Sequence, residues 1–239
     1  MTSDSTVASY GAHLRELRDR LIRAAIAVFV GAIVGFFFHE QTMAFLARPY
    51  EVAVPDGSLA FFRPTEAFSV TMLVSLWSGI IFASPVILYQ VWRFVAPALT
   101  KREKKWIYPL TGVFVFLFIL GIAVGYLALE RGLIFLIDFG GDTLTPVIGA
   151  REYYNFAMRF LLAFGIAFEF PVFLFAAAAF GAVNSKQLRA GWRWALVIIL
   201  VLAAFITPSG DPLTLLMLSV PLYIFYEITI LAVKYILRK

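Results

Sequence analysis

Long apolar runs separated by short polar segments dominate the 239-residue chain. The first occupies about 21–38, and others follow at about 66–92, 106–129 and 154–181. Two shorter runs close the pattern at about 193–207 and 212–233. A helix needs about 20 apolar residues to cross the hydrocarbon core, so the pattern predicts an all-α, polytopic integral membrane protein with roughly six transmembrane helices. The whole of 1–239 reads as a single membrane domain. The last two spans are short. Between Arg193 and Pro208 there is apolar sequence for only about 20 Å of helix against a core of about 30 Å, which predicts local bilayer thinning or strong tilt.

The segments between the runs carry their own signals. Residues 1–12 are small and polar and are expected to be disordered. From Tyr10 to Arg23, Leu14, Leu17 and Leu21 share one helical face while Arg15, Glu16, Arg18, Asp19 and Arg20 lie elsewhere. This amphipathic stretch runs directly into the first span. Phe36-Phe37-Phe38-His39 ends that span with no small-residue cleavage site, so it reads as an uncleaved span. The loop 41–68 holds Pro49, Pro55 and Pro64, with a short interfacial helix expected from Met43 to Leu46 and Thr65 as the cap of the second helix. Pro85 should kink that helix. Asp211-Pro212 has the form of a helix start, a cap followed by proline at the first position.

Composition agrees with a lipid solvent. The chain is 62% hydrophobic and 15% charged, against about 45–50% and about 25% in ordinary globular chains. The net charge of +5 matters through its distribution. Fifteen of the twenty Lys and Arg lie in the N-terminus, the segment 93–105, the segment 186–193 and the C-terminus. The positive-inside rule then puts both termini in the cytoplasm, and the bias marks topology, not nucleic-acid binding. There is no cysteine, which excludes disulfides, thiol catalysis and cysteine metal sites. His13 and His39 lie in different predicted compartments. No nucleophile–base pair, metal cluster or phosphate-binding glycine loop is present, so no catalytic chemistry and no cofactor are expected.

Three carboxylates are candidates for function. Glu103 stands alone among Lys101, Arg102, Lys104 and Lys105, at the end of the stretch 84–105. A carboxylate there suits a cationic ligand, since it takes an arginine through two parallel hydrogen bonds. Thr100-Lys-Arg-Glu103 equally fits a capping box before the third span. Glu16 is spaced to pair with Arg20 at i,i+4, worth about 0.3–0.5 kcal/mol. Glu169 lies well inside an apolar span, where an ionisable group costs about 2.5–3.5 kcal/mol on insertion scales and must meet protein, water or a partner. Pro171 can open the backbone beside it. Glu227 should sit near the interface. Trp92, Trp106, Trp192 and Trp194 read as an aromatic belt, and the many phenylalanines as lipid-facing surface and packing.

His13-Leu-Arg-Glu-Leu-Arg-Asp-Arg-Leu21 resembles the opening of the TatC family, receptor subunits of the twin-arginine protein translocase. Pro85-Val-Ile-Leu-Tyr-Gln-Val-Trp92, Phe94-Val-Ala-Pro-Ala-Leu99 and Glu103 resemble that family's first cytoplasmic loop. Phe164-Gly-Ile-Ala-Phe-Glu169-Phe-Pro171 is similar to its fourth helix, and Thr207-Pro208 with Asp211 to its last outer turn. Arg48-Pro49, Pro64-Thr-Glu-Ala-Phe68 and Gly125-Tyr126 also fit, and the departures are mild: Arg15 and Arg93 stand at positions where the family does not require arginine. The resemblance implies a receptor in a bacterial-type plasma membrane. Such a receptor binds the signal peptides of folded precursors through Glu16 and Glu103, with Phe94, Leu99 and Arg18 beside them. Glu169, Asp211, Pro49 and Tyr126 are then candidates for contact with partners or for transport. It further implies the single-span partner subunits TatA and TatB, self-association in the bilayer, and the proton-motive force as energy source. The rival is a secondary transporter for a small solute with Glu169 and Asp211 as proton sites. No internal repeat supports it.

Overall fold

The computed structural model describes residues 3–95, 107–141, 145–207 and 211–237. Its helices are α1 (Ser3–Phe37), α2 (His39–Ala53), α3 (Glu66–Val95), α4 (Ile107–Asp138), α5 (Ala150–Ala167), α6 (Phe170–Ala179), α7 (Ser185–Ala190), α8 (Trp192–Ile206) and α9 (Pro212–Ala232). A π-helical turn, Val233–Leu237, ends the described chain. Five stretches are long and apolar enough to cross a membrane, α5 and α6 counting as one, and α8 is a shorter sixth. This is the all-α, six-span arrangement that the apolar runs predict. At 15 residues, α8 is about 22 Å long.

Several boundaries differ from expectation. The backbone is helical from Ser3, inside the stretch 1–12 expected to be disordered. Propagating a nucleated helix gains a hydrogen bond for each residue fixed, and 3–12 holds no proline to stop it. The expected turn of helix at Met43 to Leu46 is a full 15-residue helix with Pro49 inside it. α4 continues two turns past Leu129, with Leu133 buried. Trp92 does not belong to an aromatic belt. It is buried against Phe114, with ring centroids 5.6 Å apart, because its face of α3 is turned into the helix packing. Trp192 and Trp194 are exposed, as a belt requires; Trp106 lies outside the described residues.

α1 attaches chiefly through a close seam with α3. Gly31 and Gly35 form a G-x-x-x-G pair, the spacing that lets membrane helices approach backbone to backbone. A Cβ at Gly31 would stand 2.6 Å from the Gly79 carbonyl oxygen, and one at Gly79 would stand 2.4 Å from the Ala32 nitrogen. Elsewhere α1 offers Phe29, Val30 and Phe37 outward to lipid.

On the side opposite the N-terminus, a tyrosine clamp makes Pro49 tolerable in mid-helix. Proline has no N–H, so the Phe45 carbonyl lacks its i+4 donor. Tyr126 on α4 supplies it, donating to Phe45 O at 2.9 Å with its ring stacked on Phe45 at 4.2 Å. Tyr153 and Tyr154 on α5 donate to Leu46 O (2.5 Å) and Met43 O (3.2 Å). Glu66 ties the loops of the same side together. Its carboxylate accepts from the backbone N–H of Phe62 (2.9 Å) and of Arg151 (3.4 Å). Ala60 and Gly149 form a bridge beside it. Glu66, in the first turn of α3, thus joins the start of that helix to the loops on either side of it.

Candidate functional site

Spacing puts Glu16 and Arg20 on one face of α1. The Arg20 Nη2 donates to Glu16 Oε1 there, as the i,i+4 reading anticipates. The two are unequally placed: the Arg20 side chain is 10% exposed and that of Glu16 36%. With Arg15, Asp19 and Arg23 of α1 and Arg93 at the end of α3, they line a cavity of about 470 Å³. The α1–α3 seam therefore fixes the cavity's two walls. Arg93 is held by Tyr89, donating to its hydroxyl at 3.4 Å and lying 5.9 Å over its ring. Phe94 follows it, half-buried. Arg18 is exposed and pairs with Asp19 at 3.0 Å, outside the cavity lining. Glu103 and Leu99 lie outside the described residues.

The electrostatics of this cavity are mixed. Four arginines face two carboxylates, so the surroundings repel a cation that does not reach a carboxylate. Glu16 is already engaged by Arg20, and Nε and Nη1 of Arg20 are buried without a hydrogen-bond partner among the described residues. An arginine guest at Glu16 must share the carboxylate with Arg20 or displace it. A carboxylate has about four acceptor positions, so sharing is chemically open. Sequence reasoning missed Arg93 as a wall of the site. It was visible as the cation that ends the apolar run of α3.

Glu169 occupies a different place. α5 ends at Ala167 and α6 begins at Phe170, with Pro171 in its first turn. Pro171 cannot donate to the Ala167 carbonyl, and the chain tightens so that Glu169 N–H bonds Ile166 O at 3.1 Å. The helix is interrupted beside Pro171, but by a tightened turn and not by the opened backbone expected there. The Glu169 side chain is 2% exposed, and neither carboxylate oxygen has a hydrogen-bond partner among the described residues. Pro171 and Val172 line an apolar groove of about 430 Å³ between α4, α6 and α9, with Phe116, Phe175 and Phe225.

The remaining candidates lie on the side opposite the N-terminus. Asp211 caps α9, accepting from Thr214 N–H at 2.8 Å and from the Thr214 hydroxyl at 2.5 Å. Pro49 and Tyr126 belong to the clamp on α2. The structure thus brings Glu16 together with the end of α3, and leaves Glu169, Asp211 and the Pro49–Tyr126 pair as separate places.

Residues 12–221 match the family model for the Sec-independent protein translocase protein TatC. Proteins named as Sec-independent protein translocase protein TatC are similar along almost the whole chain. The one from Aquifex aeolicus is 38% identical, with 95% of each chain covered. That from Desulforapulum autotrophicum is 36% identical over 98% of this chain and 87% of its own. A crystal structure described as the twin-arginine translocase receptor TatC superposes with a TM-score of 0.77 at 38% identity, covering 93% of this chain and 98% of the other. A second, of the receptor in the detergent DDM, gives 0.79 at 37% identity, with 93% and 99% covered.

Proposed function

Because this chain belongs to the TatC family of Sec-independent protein translocase proteins, we propose that it is the signal-peptide receptor and core subunit of a twin-arginine translocase. It is a multi-pass membrane component of a protein translocase. In the proposed reading it lies in a bacterial-type plasma membrane with both termini cytoplasmic, supported by the lysine and arginine bias. There it receives the twin-arginine signal peptides of folded precursors. Glu16 and Glu103 accept the arginines, with Phe94 and Leu99 packing beside the peptide and Arg18 at its edge. The observation that carries this reading is the cavity between α1 and the end of α3. It offers carboxylates on a surface otherwise basic enough to reject a misplaced cation. The chain carries no catalytic chemistry in this reading, and the proton-motive force drives export.

A photoreactive twin-arginine peptide tests the location and the orientation together. Added to inverted vesicles, it should label α1 near Glu16 and the segment 93–103. Added to right-side-out vesicles, it should label neither. Labelling from the opposite face, or spread evenly along the chain, would refute the assignment.

Glu169 is read as the point where a single-span partner subunit, of the TatA or TatB kind, meets the receptor. Its carboxylate, unmet among the described residues, and the apolar groove that starts at Pro171 support this. Asp211, Pro49 and Tyr126 then act by holding the opposite face in shape for self-association and transport. Glu169→Ala is expected to leave peptide affinity within about twofold of wild type while cutting partner co-purification severalfold and slowing export. Unchanged co-purification with normal export would remove Glu169 from this role.

A further inference from the structure

Another cavity, of about 690 Å³, lies between α7 and the end of α9 and shares no lining residue with the one at Glu16. Lys186 and Arg189 from α7 and Lys234 from the π turn converge on it, and Ile230 and Leu231 form its apolar side. α7 is held against α9 by two contacts. Tyr226 donates to Leu188 O at 2.5 Å, and Arg189 pairs with Glu227 at 2.7 Å. Glu227 also accepts from the Tyr223 hydroxyl at 3.2 Å, which leaves it turned toward α9's own surface. Lys186 and Lys234 have no carboxylate against them in any described ion pair. α7 starts on a capping box, Asn184 with Gln187, which fixes the short helix that carries two of the cations.

The depth of this cavity in the membrane is marked by aromatic side chains. Trp192 and Trp194 at the start of α8 and Tyr235 in the π turn are all exposed at this end of the bundle, as anchors in a headgroup layer are. We propose that this notch binds the headgroup of an anionic phospholipid, with the phosphate among Lys186, Arg189 and Lys234 and the first acyl segments on Ile230 and Leu231. Charge and apolar surface are both matched by that one class of molecule. A soluble anion finds the cations but leaves the apolar side uncovered. Basic pockets between membrane helices are known receivers of acidic headgroups. The lipid also has a structural use here. α8 is too short for a full hydrocarbon core, and a headgroup held at the foot of α9 draws the bilayer surface in to meet it.

Native mass spectrometry of the detergent-purified protein, incubated with equimolar phosphatidylglycerol and phosphatidylcholine, tests this. At least fivefold preferential retention of phosphatidylglycerol is expected. The double variant Lys186→Gln/Lys234→Gln should bring the ratio close to one, while Lys104→Gln/Lys105→Gln should keep it. Arg189 is left in place because it pairs with Glu227. A melting temperature equal to wild type shows that the double variant is folded; if it is not, Lys234→Gln alone should at least halve the preference. Soluble glycerophosphoglycerol at millimolar concentration should not displace the lipid. No preference in the wild type, a preference untouched by these variants, or full displacement by the soluble headgroup would each overturn the proposal.

Discussion

Glu103→Gln is expected to weaken binding of a twin-arginine peptide by about 10- to 100-fold while insertion and thermal stability stay at wild-type level. Two roles compete at this residue, and glutamine separates them. As the third helical residue of a Thr100-x-x-Glu103 capping box, Glu103 returns a side-chain acceptor to the backbone, and glutamine does so equally. As the receiver of a guanidinium it needs the negative charge, because charge-assisted pairing is about twice as strong as neutral hydrogen bonding. Losing it should cost about 1.5–3 kcal/mol where water is excluded, and each 1.4 kcal/mol is about tenfold in affinity. Glu103→Ala should lose the binding and about 1 kcal/mol of stability as well. If glutamine binds like wild type while alanine loses both, Glu103 is a cap and the arginines dock nearer Glu16.

The other large effect is predicted away from any charge. Gly79→Leu should detach α1 from α3, lowering stability by about 3 kcal/mol or more and abolishing high-affinity peptide binding in the same step. Overpacking a core costs about 1–3 kcal/mol when neighbouring side chains can yield. At Gly79 the first atoms met are backbone, Ala32 N at 2.4 Å and Ala32 Cα at 2.7 Å, so a whole helix must move. The cavity suffers because Glu16 and Arg20 are on α1 and Arg93 is on α3. Gly112→Ala is the control, since nothing lies within 4 Å of a Cβ there. It should leave melting temperature and affinity unchanged or slightly raised. A Gly79→Leu protein with wild-type melting and binding would mean that the seam is not what positions the site.

Much of this architecture is disclosed by the chain before folding, and some of it is not. The apolar runs set the number of spans, and Asp211-Pro212 and Glu16-x-x-x-Arg20 announce a cap and a pair by local spacing alone. Both are found. Two further local signals follow the same rules. One is Gly31-x-x-x-Gly35, which faces Gly79, Ser75 and Ser78. The other is Asn184-x-x-Gln187, the capping box that starts α7. Other features have no local signature. Pro49 is tolerated in α2 only because Tyr126, 77 positions along the chain, reaches the carbonyl left without a donor. Trp92 closes an apolar run as a belt residue does, and only the packing of α3 on α4 puts it in the core. Glu66 looked like part of a helix start, yet its second oxygen meets the N–H of Arg151 in a distant loop.

The most direct measurement of the central claim is the affinity of the purified protein, in lipid nanodiscs, for a fluorescent twin-arginine signal peptide and for the same peptide with Lys-Lys. The two peptides carry equal charge, so a purely basic-repelling or acidic-attracting surface binds them alike. A carboxylate site built for planar, bidentate donors does not. The Lys-Lys peptide is expected to bind at least tenfold more weakly, with the difference shrinking toward unity in Glu16→Gln/Glu103→Gln. Equal affinity for the two peptides in the wild-type protein would contradict that claim.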